Sequence, residues 1–341
     1  MNIELLKKYI ETPSPVGRED ELIKLVVEST KSLAEDYIYD NQGSVSVVYN
    51  KKAPFKVMLM AHADEISLVV NGYNPNGTLK VSKNGGVREK LYNGVKVKII
   101  TKKGSLNGVM GVVDKDKIEA DDLFVDISCF SSEEAKDIVP LGSYVIHDTS
   151  FMELQNNLFS GRALDDRLGV FVIQEAAKMA LKLKAKAGIY ATSSVGEENT
   201  GRGAYSSSSI IKPDLAIIVD VTYSSDYIGN PAKGDINIGK GGVICLGSLV
   251  NRKLNKLLEE TAKELGLPIQ YEVWPGRTST DGDTINRTND GTPTVLFSIP
   301  IRYMHSPVEV ASINDVDTMI VILAHFLAKL SSDIDLHPYR F

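Results

Sequence analysis

The hydrophobic pattern along the chain changes its period twice. The first 68 residues carry two helical patterns followed by a strand. In the second, opened by Gly17-Arg18-Glu19-Asp20, Leu22, Ile23, Val26 and Val27 fall on one helix face. Lys56 to Met60, KVMLM, is a continuous apolar run that predicts a buried strand. From about residue 69 to 160 the period shortens to two, in TLKVS, VKVKII, LFVDIS and SYVIHD. Asn71-Gly72, Asn76-Gly77, Asn84-Gly85, Asn93-Gly94 and Asn107-Gly108 punctuate these runs, which is hairpin chemistry. Ser131 with Glu134 makes the capping box of one short helix, stopped before Pro140. From about residue 161 the two periods alternate. Helices are predicted over Leu168–Leu183, Arg252–Leu265 and Ile313–Leu330, and strands over Ala187–Val195, Leu215–Val219 and Thr294–Ile299.

Alternating strands and helices imply an α/β sheet covered by helices on both faces. The opening residues share this texture, so residues 1–68 and 161–341 are predicted to form one domain and residues 69–160 an inserted β-rich domain. A chain of 341 residues is long enough for both. Its 43% hydrophobic and 24% charged residues exclude a disordered chain. A net charge of -6 argues against nucleic acid as a partner, and Lys182, Lys184 and Lys186 read as a solvated helix end. The start, MNIELLKKYIETPSP, lacks the apolar core of a signal peptide, and no run reaches the length of a membrane span. Cys129 and Cys245 have no CxxC spacing, so a cytoplasmic, reducing compartment is expected and a disulfide scaffold is not.

The chemistry lies at the strand ends. KVMLM runs into Ala61-His62-Ala63-Asp64-Glu65, AGIYATSSV into Gly196-Glu197-Glu198, LAIIV into Asp220, and TVLFSIP into Arg302-Tyr303-Met304-His305. Ligands of open α/β sheets bind outside the carboxyl ends of the strands, so these residues are placed to converge. Asp165-Asp166 adds a fifth candidate just before a long helix. Each signal has an ordinary explanation when taken alone. A strand-end histidine is usually a satisfied polar residue, Asp64 or Asp220 can cap a helix, Glu197-Glu198 can be a surface pair, and Asp165-Asp166 can complement a helix dipole. Their shared placement favours a divalent metal site, too rich in carboxylates for a closed structural zinc site. A carboxylate bridging two ions, with one histidine and one further acid on each, can activate a water between them. Glu197, beside the ligand candidate Glu198, is the natural proton acceptor. His147, His325 and His337 have no comparable context and are read as structural or solvated.

At these residues the chain resembles the tetrahedral-assembling (TET) dinuclear metallo-aminopeptidases, including glutamyl and deblocking aminopeptidases. The resemblance spans essentially the whole chain. It is densest at AHADEISLVV from Ala61, SGRALDDRLG from Ser160, VGEENTGRGA from Val195, VDVTYSSD from Val219 and SIPIRYMHSPVEV from Ser298, with TSTDGDTI from Thr278 a weaker block. It implies a zinc-exopeptidase-like mixed sheet with an inserted PDZ-like barrel that mediates dimerisation. It further implies His62 on one metal, Asp165 bridging, Asp166 following in a constrained backbone, and Glu198 and Asp220 as terminal ligands, one on each metal. His305 would complete the second metal, Glu197 would be the general base, and Asp64 would orient the site. The implied metals are zinc or cobalt, with manganese also compatible with such donors. The implied substrates are short peptides with a free N-terminus, and the implied assembly is a homo-oligomer of dimers reaching a tetrahedral dodecamer.

The chain departs from the family pattern at Ser67, at Gly196 and at Asn199-Thr200. None of these changes removes a ligand or the base; they bear on the rim of the pocket. Three other readings compete. A carboxypeptidase, dipeptidase or amide deacylase would share the ligands but need a carboxylate clamp, for which Arg277 and Arg302 are candidates. A glycoside hydrolase would use two carboxyls and no metal, leaving His62 and His305 unexplained. A non-catalytic scaffold should have lost a ligand or the base.

Overall fold

The computed structural model describes residues 1–113, 115–229 and 234–340. An eight-stranded mixed sheet forms its centre, in the spatial order Asp36–Tyr39, Val45–Tyr49, Gly188–Ser194, Lys56–His62, Leu215–Tyr223, Thr294–Ile301, Gly242–Gly247 and Ile269–Trp274. The four middle strands, Gly188–Ser194 to Thr294–Ile301, are parallel. They carry the apolar runs singled out in the sequence, as expected for strands covered on both faces.

Alternate residues of these strands feed two cores. Val57, Leu59, Ile217, Val219, Val295 and Phe297 face one cluster. There they meet the helices Ile3–Glu11, Asp20–Thr30, Leu164–Lys182, Arg252–Leu265 and Ile313–Lys329. Met58, Met60, Ala216, Ile218 and Leu296 face the other cluster, where Ala204 and Ile211 of the helix Arg202–Ile211 pack. This period of two, buried on both sides, is what a helix-covered sheet requires. Asn251 and Ser312 start two of the helices by accepting backbone N–H groups in their first turns. Among the described residues no helix is long and apolar enough to cross a membrane.

Six strands close into a barrel in the order Ser67–Tyr73, Leu79–Asn84, Leu123–Asp126, Gly104–Val112, Lys96–Thr101 and Tyr144–His147. Its interior is filled by Leu68, Val81, Val97, Ile99, Met110, Val125 and Val145. The short helix Ser132–Ile138 starts as its sequence predicts: the Ser131 side chain accepts from Glu134 N. Glu134 returns the bond to Phe130 N, one residue earlier than a capping box would place it. A three-stranded sheet of Met152–Glu153, Leu158–Gly161 and Glu309–Ser312 links the residues after the barrel to the chain beyond His305.

Several elements escape the periodicity. The hairpin Asp36–Tyr39/Val45–Tyr49 precedes the first predicted strand, and the strands Gly242–Gly247 and Ile269–Trp274 complete one edge of the sheet. The edge strand exposes Tyr271 and Val273 while burying Glu272, so its apolar pattern points the wrong way for a core strand.

Candidate metal centre and active-site cleft

The parallel register gathers the predicted strand ends at one rim. His62 is paired with Ser194, two residues before Gly196, and Asp220 is paired with Ser298. The helix Leu164–Lys182 brings in Asp165 and Asp166, whose backbone is not yet helical and whose shared peptide bond is cis.

Asp165 stands between the two histidines. Its Oδ1 is 3.0 Å from His62 Nε2 and its Oδ2 is 3.1 Å from His305 Nε2. Asp220 Oδ1 lies 3.9 Å from His62 Nε2, and Glu198 Oε1 lies 3.2 Å from His305 Nε2. Donor atoms of His62, Asp165 and Glu198 lie within 4.8 Å of one another, as do those of His62, Asp166 and Asp220. All five sequence-predicted ligand candidates therefore face one another. Asp166 is buried, and its carboxylate accepts from Gly169 N at 2.9 Å and from His62 N at 3.3 Å.

Other groups hold these side chains from behind. Asp64, fully buried, accepts from Glu197 N on Oδ1 and from Glu198 N on Oδ2, both at 3.1 Å. One carboxylate thus pins the backbone of the acidic pair. His62 Nδ1 faces the Asp64 carbonyl at 3.1 Å. His305 Nδ1 lies 2.9 Å from the carbonyl of Gly86, in the loop after the barrel strand Leu79–Asn84. Backbone oxygens on Nδ1 leave Nε2 of each ring free to act as a ligand. The barrel touches the cluster at Gly85 as well, where an added Cβ would lie 3.3 Å from Glu198 Cβ. Asn199, one of the departures from the family pattern, donates to Asn84 Oδ1 at 3.3 Å.

Three acids to which the sequence assigned no role also belong to the site. Glu309 accepts from Asp165 N at 3.1 Å on one oxygen and from His305 N at 2.8 Å on the other. Asp281 is buried against the Ser194 hydroxyl. Glu65 is enclosed by Arg162 and Arg167. The block SIPIRYMHSPVEV contains Glu309, and TSTDGDTI contains Asp281, so those motifs were the available signal. Neither acid follows a strand, so position gave no hint.

The electrostatics call for positive charge. Burial raises the carboxyl pKa of Glu197, Asp220 and Asp166 well above the ordinary range, and neighbouring acids add to the shift. Burial alone would keep the imidazoles neutral. For His62 the hydrogen bond to Asp165 and the charges of Asp64 and Asp220 outweigh it, and for His305 those of Glu198 and Asp165 do, so both rings are raised well above 6.5. Asp165 is likewise opposed by burial, yet its bonds to His305 and His62 hold it below the usual carboxylate range. An acid-rich pocket that drives both imidazoles to the cationic form is matched to cations, and its imidazole nitrogens and carboxylate oxygens suit divalent ions.

The cluster opens into a cleft of about 640 Å³ lined by His62, Asp165, Glu197, Glu198, Asp220 and His305. Tyr223, Glu272, Trp274, Arg277, Asp283 and Met304 line the same cleft. Neither arginine considered as a carboxylate clamp is uncommitted. Arg302 makes a two-pronged contact with Asp226 at 2.9 and 2.8 Å, and Arg277 Nε is 3.3 Å from Asp283. His147 is buried in the barrel against Tyr92, while His325 bonds its own helix at Val321 O. His337 lies in the exposed C-terminal segment.

A helix-covered mixed sheet with a barrel beside an acid-rich cleft at its strand ends defines a metallopeptidase-like architecture. The M42 glutamyl aminopeptidase model matches residues 43–322, so the chain belongs to that family and is a hydrolase of the aminopeptidase class. It is 36% identical over 341 residues to the lysyl aminopeptidase of Pyrococcus furiosus, an alignment covering 96% of this chain and 97% of that protein. Its structure superposes on the TET aminopeptidase of a marine sediment Thaumarchaeota archaeon with a TM-score of 0.92 and 27% identity, covering 97% of this chain and 98% of that one. It superposes on the TET1 peptidase of Pyrococcus horikoshii, which can assemble into a tetrahedron or a large octahedral shell, with a TM-score of 0.86 and 30% identity, covering 96% and 99% of the two chains.

Proposed function

We propose that the cleft is a two-metal aminopeptidase active site that removes residues one at a time from short peptides with a free N-terminus. The observation that carries this reading is the division of Asp165, one carboxylate oxygen toward each histidine. Asp165 would then hold an ion on each of its two carboxylate oxygens. His62 and Asp220 would complete one site, and His305 and Glu198 the other. Zinc suits this mixed nitrogen and oxygen donor set, with cobalt or manganese as alternatives.

When bound, the ion pair supplies Lewis acidity to a water and to the scissile carbonyl. The chain's own groups do the rest. Glu197 takes the proton of the attacking water and passes it to the leaving amine. Burial and the neighbouring acids raise its carboxyl above the ordinary range, the direction that favours holding the proton between the two transfers. Asp64 acts through Glu197 and Glu198 by fixing their backbone, and Glu309 does the same for Asp165 and His305. The commitment of Arg302 and Arg277 to acids supports recognition of a free amine over a free carboxylate.

In this reading residues 1–68 and 161–341 form the catalytic unit, and residues 69–160 are the inserted dimerisation unit of a homo-oligomer. Dimers assembling into a closed particle such as a dodecamer would screen the cleft from folded proteins, which fits short peptides as substrates. A cytoplasmic location accompanies it.

The test is amino-acid release from free, N-acetylated and C-amidated peptides, with chelator and with metal restored. Release from free and C-amidated peptides only, abolished by chelator and recovered with zinc, cobalt or manganese, is expected. Cleavage of N-acetylated peptides, or release unaffected by chelator, would refute the reading.

A further inference from the structure

The edge strand Ile269–Trp274 inverts the usual burial of polar and apolar residues. Tyr271 and Val273 are 44% and 56% exposed, whereas Glu272 between them is 1% exposed. Burying a carboxylate in place of two available apolar side chains is costly unless it is hydrogen-bonded and its charge paired, and local rules are broken in this way mostly at functional sites. Glu272 lines the same cleft as the proposed metal ligands.

Its partners hold the carboxylate without neutralising it. Oε2 accepts from the Thr222 hydroxyl at 2.6 Å and from Trp274 Nε1 at 2.9 Å, and Oε1 accepts from the Ser298 hydroxyl at 3.0 Å. All three donors are neutral, and no lysine, arginine or histidine nitrogen is within ion-pair distance among the described residues. A carboxylate has about four acceptor positions, so one remains for a further donor. The neighbouring Asp283, by contrast, is occupied by Thr278 N, Ser279 N and Arg277. The side chain of Arg277 is 82% exposed, at the mouth of the cleft.

The placement also sets a distance. Thr222, which holds Glu272, lies two residues beyond Asp220 on the same strand face, about 7 Å along the strand. That separation is comparable to an extended lysine side chain, and Trp274 and Met304 line the cleft to take its apolar stem.

We propose that Glu272 is a specificity-determining residue that receives the ammonium or guanidinium group of a lysine or arginine at the substrate's N-terminal position. This rests on the aminopeptidase reading above. An acidic N-terminal residue would meet like charge in the same place, so glutamyl substrates are disfavoured.

The experiment uses the full-length protein loaded with zinc and a matched set of p-nitroanilides of lysine, arginine, norleucine and glutamate. Norleucine keeps the lysine stem without its charge. The expected kcat/KM for lysine and arginine exceeds that for norleucine by about 10- to 100-fold, the scale of one hydrogen bond to a charged group, with glutamate lowest. In Glu272→Gln the lysine-to-norleucine ratio falls toward one. If Glu272 only supports the fold, both substrates lose equally and the ratio stays, which overturns the proposal. The wild-type comparison decides by itself should the variant fail to fold: norleucine turned over as well as lysine overturns the specificity assignment and leaves the aminopeptidase reading standing. No turnover of any substrate by protein holding its metal overturns both.

Discussion

Gly86 offers the sharpest test of how the barrel enters the site. Its carbonyl lies 2.9 Å from His305 Nδ1. A Cβ at residue 86 would lie 2.5 Å from Cε1 and 2.6 Å from Nδ1 of the same ring. Ordinary carbon contacts begin near about 3.5 Å, so in Gly86→Ala the ring or the loop must withdraw by roughly 1 Å. Gly86 is absent from the positive-φ glycines, so the substitution acts through this contact and not through backbone strain. Withdrawal removes the bond that fixes the ring, and loss of such a supporting partner typically costs about 10- to 100-fold in metal affinity. A displacement of that size costs roughly 100-fold in rate, or about 2.7 kcal/mol of barrier. The loss should fall on the site of His305 and Glu198 and spare that of His62 and Asp220. Competitive zinc titration against a chromophoric chelator, with circular dichroism to check folding, measures it. Two tight sites are expected in the wild type, and one tight plus one weakened in Gly86→Ala. Wild-type affinity at both sites, with kcat/KM within about twofold, would show that the barrel loop does not position His305.

Glu197→Gln is expected to keep both ions and its melting temperature while turnover falls at least about 100-fold, the scale of general-base catalysis; near-normal turnover in the metal-loaded variant would refute the assignment. His62→Ala is expected to stay folded but to hold less metal by elemental analysis, and two ions per chain would remove His62 from the ligand set. Glu65 predicts a pH dependence. Burial raises its carboxyl, but Arg162 and Arg167 outweigh that and bring it from 4.5 down to about 2. The unfolded chain takes up this proton as pH falls through 4.5, while the folded protein does not until about 2. Stability from Glu65, on the order of 3 kcal/mol, is therefore present above pH 4.5 and lost as pH falls through that window. Urea unfolding between pH 5 and 3 should show a shallower decline in Glu65→Gln than in wild type, and parallel declines would refute the linkage.

What was legible in the sequence follows from how each feature is encoded. Lys56–His62, Leu215–Tyr223 and Thr294–Ile301 are buried on both faces, so they appear as unbroken apolar runs, and the polar residues that end them stand out. His62, Asp220, Glu197, Glu198 and His305 could be picked as one group because parallel strands present their carboxyl ends on one rim. The barrel strands showed by alternation, since one face packs inward and the other meets water. The strand Gly242–Gly247 and the edge strand Ile269–Trp274 beside it were hidden because the first ends in exposed residues and the second turns its acid inward. Glu309, Asp281 and Gly86 were hidden for another reason. They act on partners up to 219 residues away, through backbone groups in the cases of Glu309 and Gly86, and no local pattern records such a contact. The helix starting at Leu164 was predicted from Leu168, because Asp165 and Asp166 are held outside helical geometry.

In the proposed site Asp165 would hold two metal ions, with His62 and His305 on opposite sides. Crystals grown with zinc and measured by anomalous diffraction at the zinc edge test it most directly. Two peaks about 3.5–4 Å apart are expected, one beside His62 and Asp220, the other beside His305 and Glu198, with Asp165 between them. A single peak, or a pair that Asp165 does not touch, would contradict it.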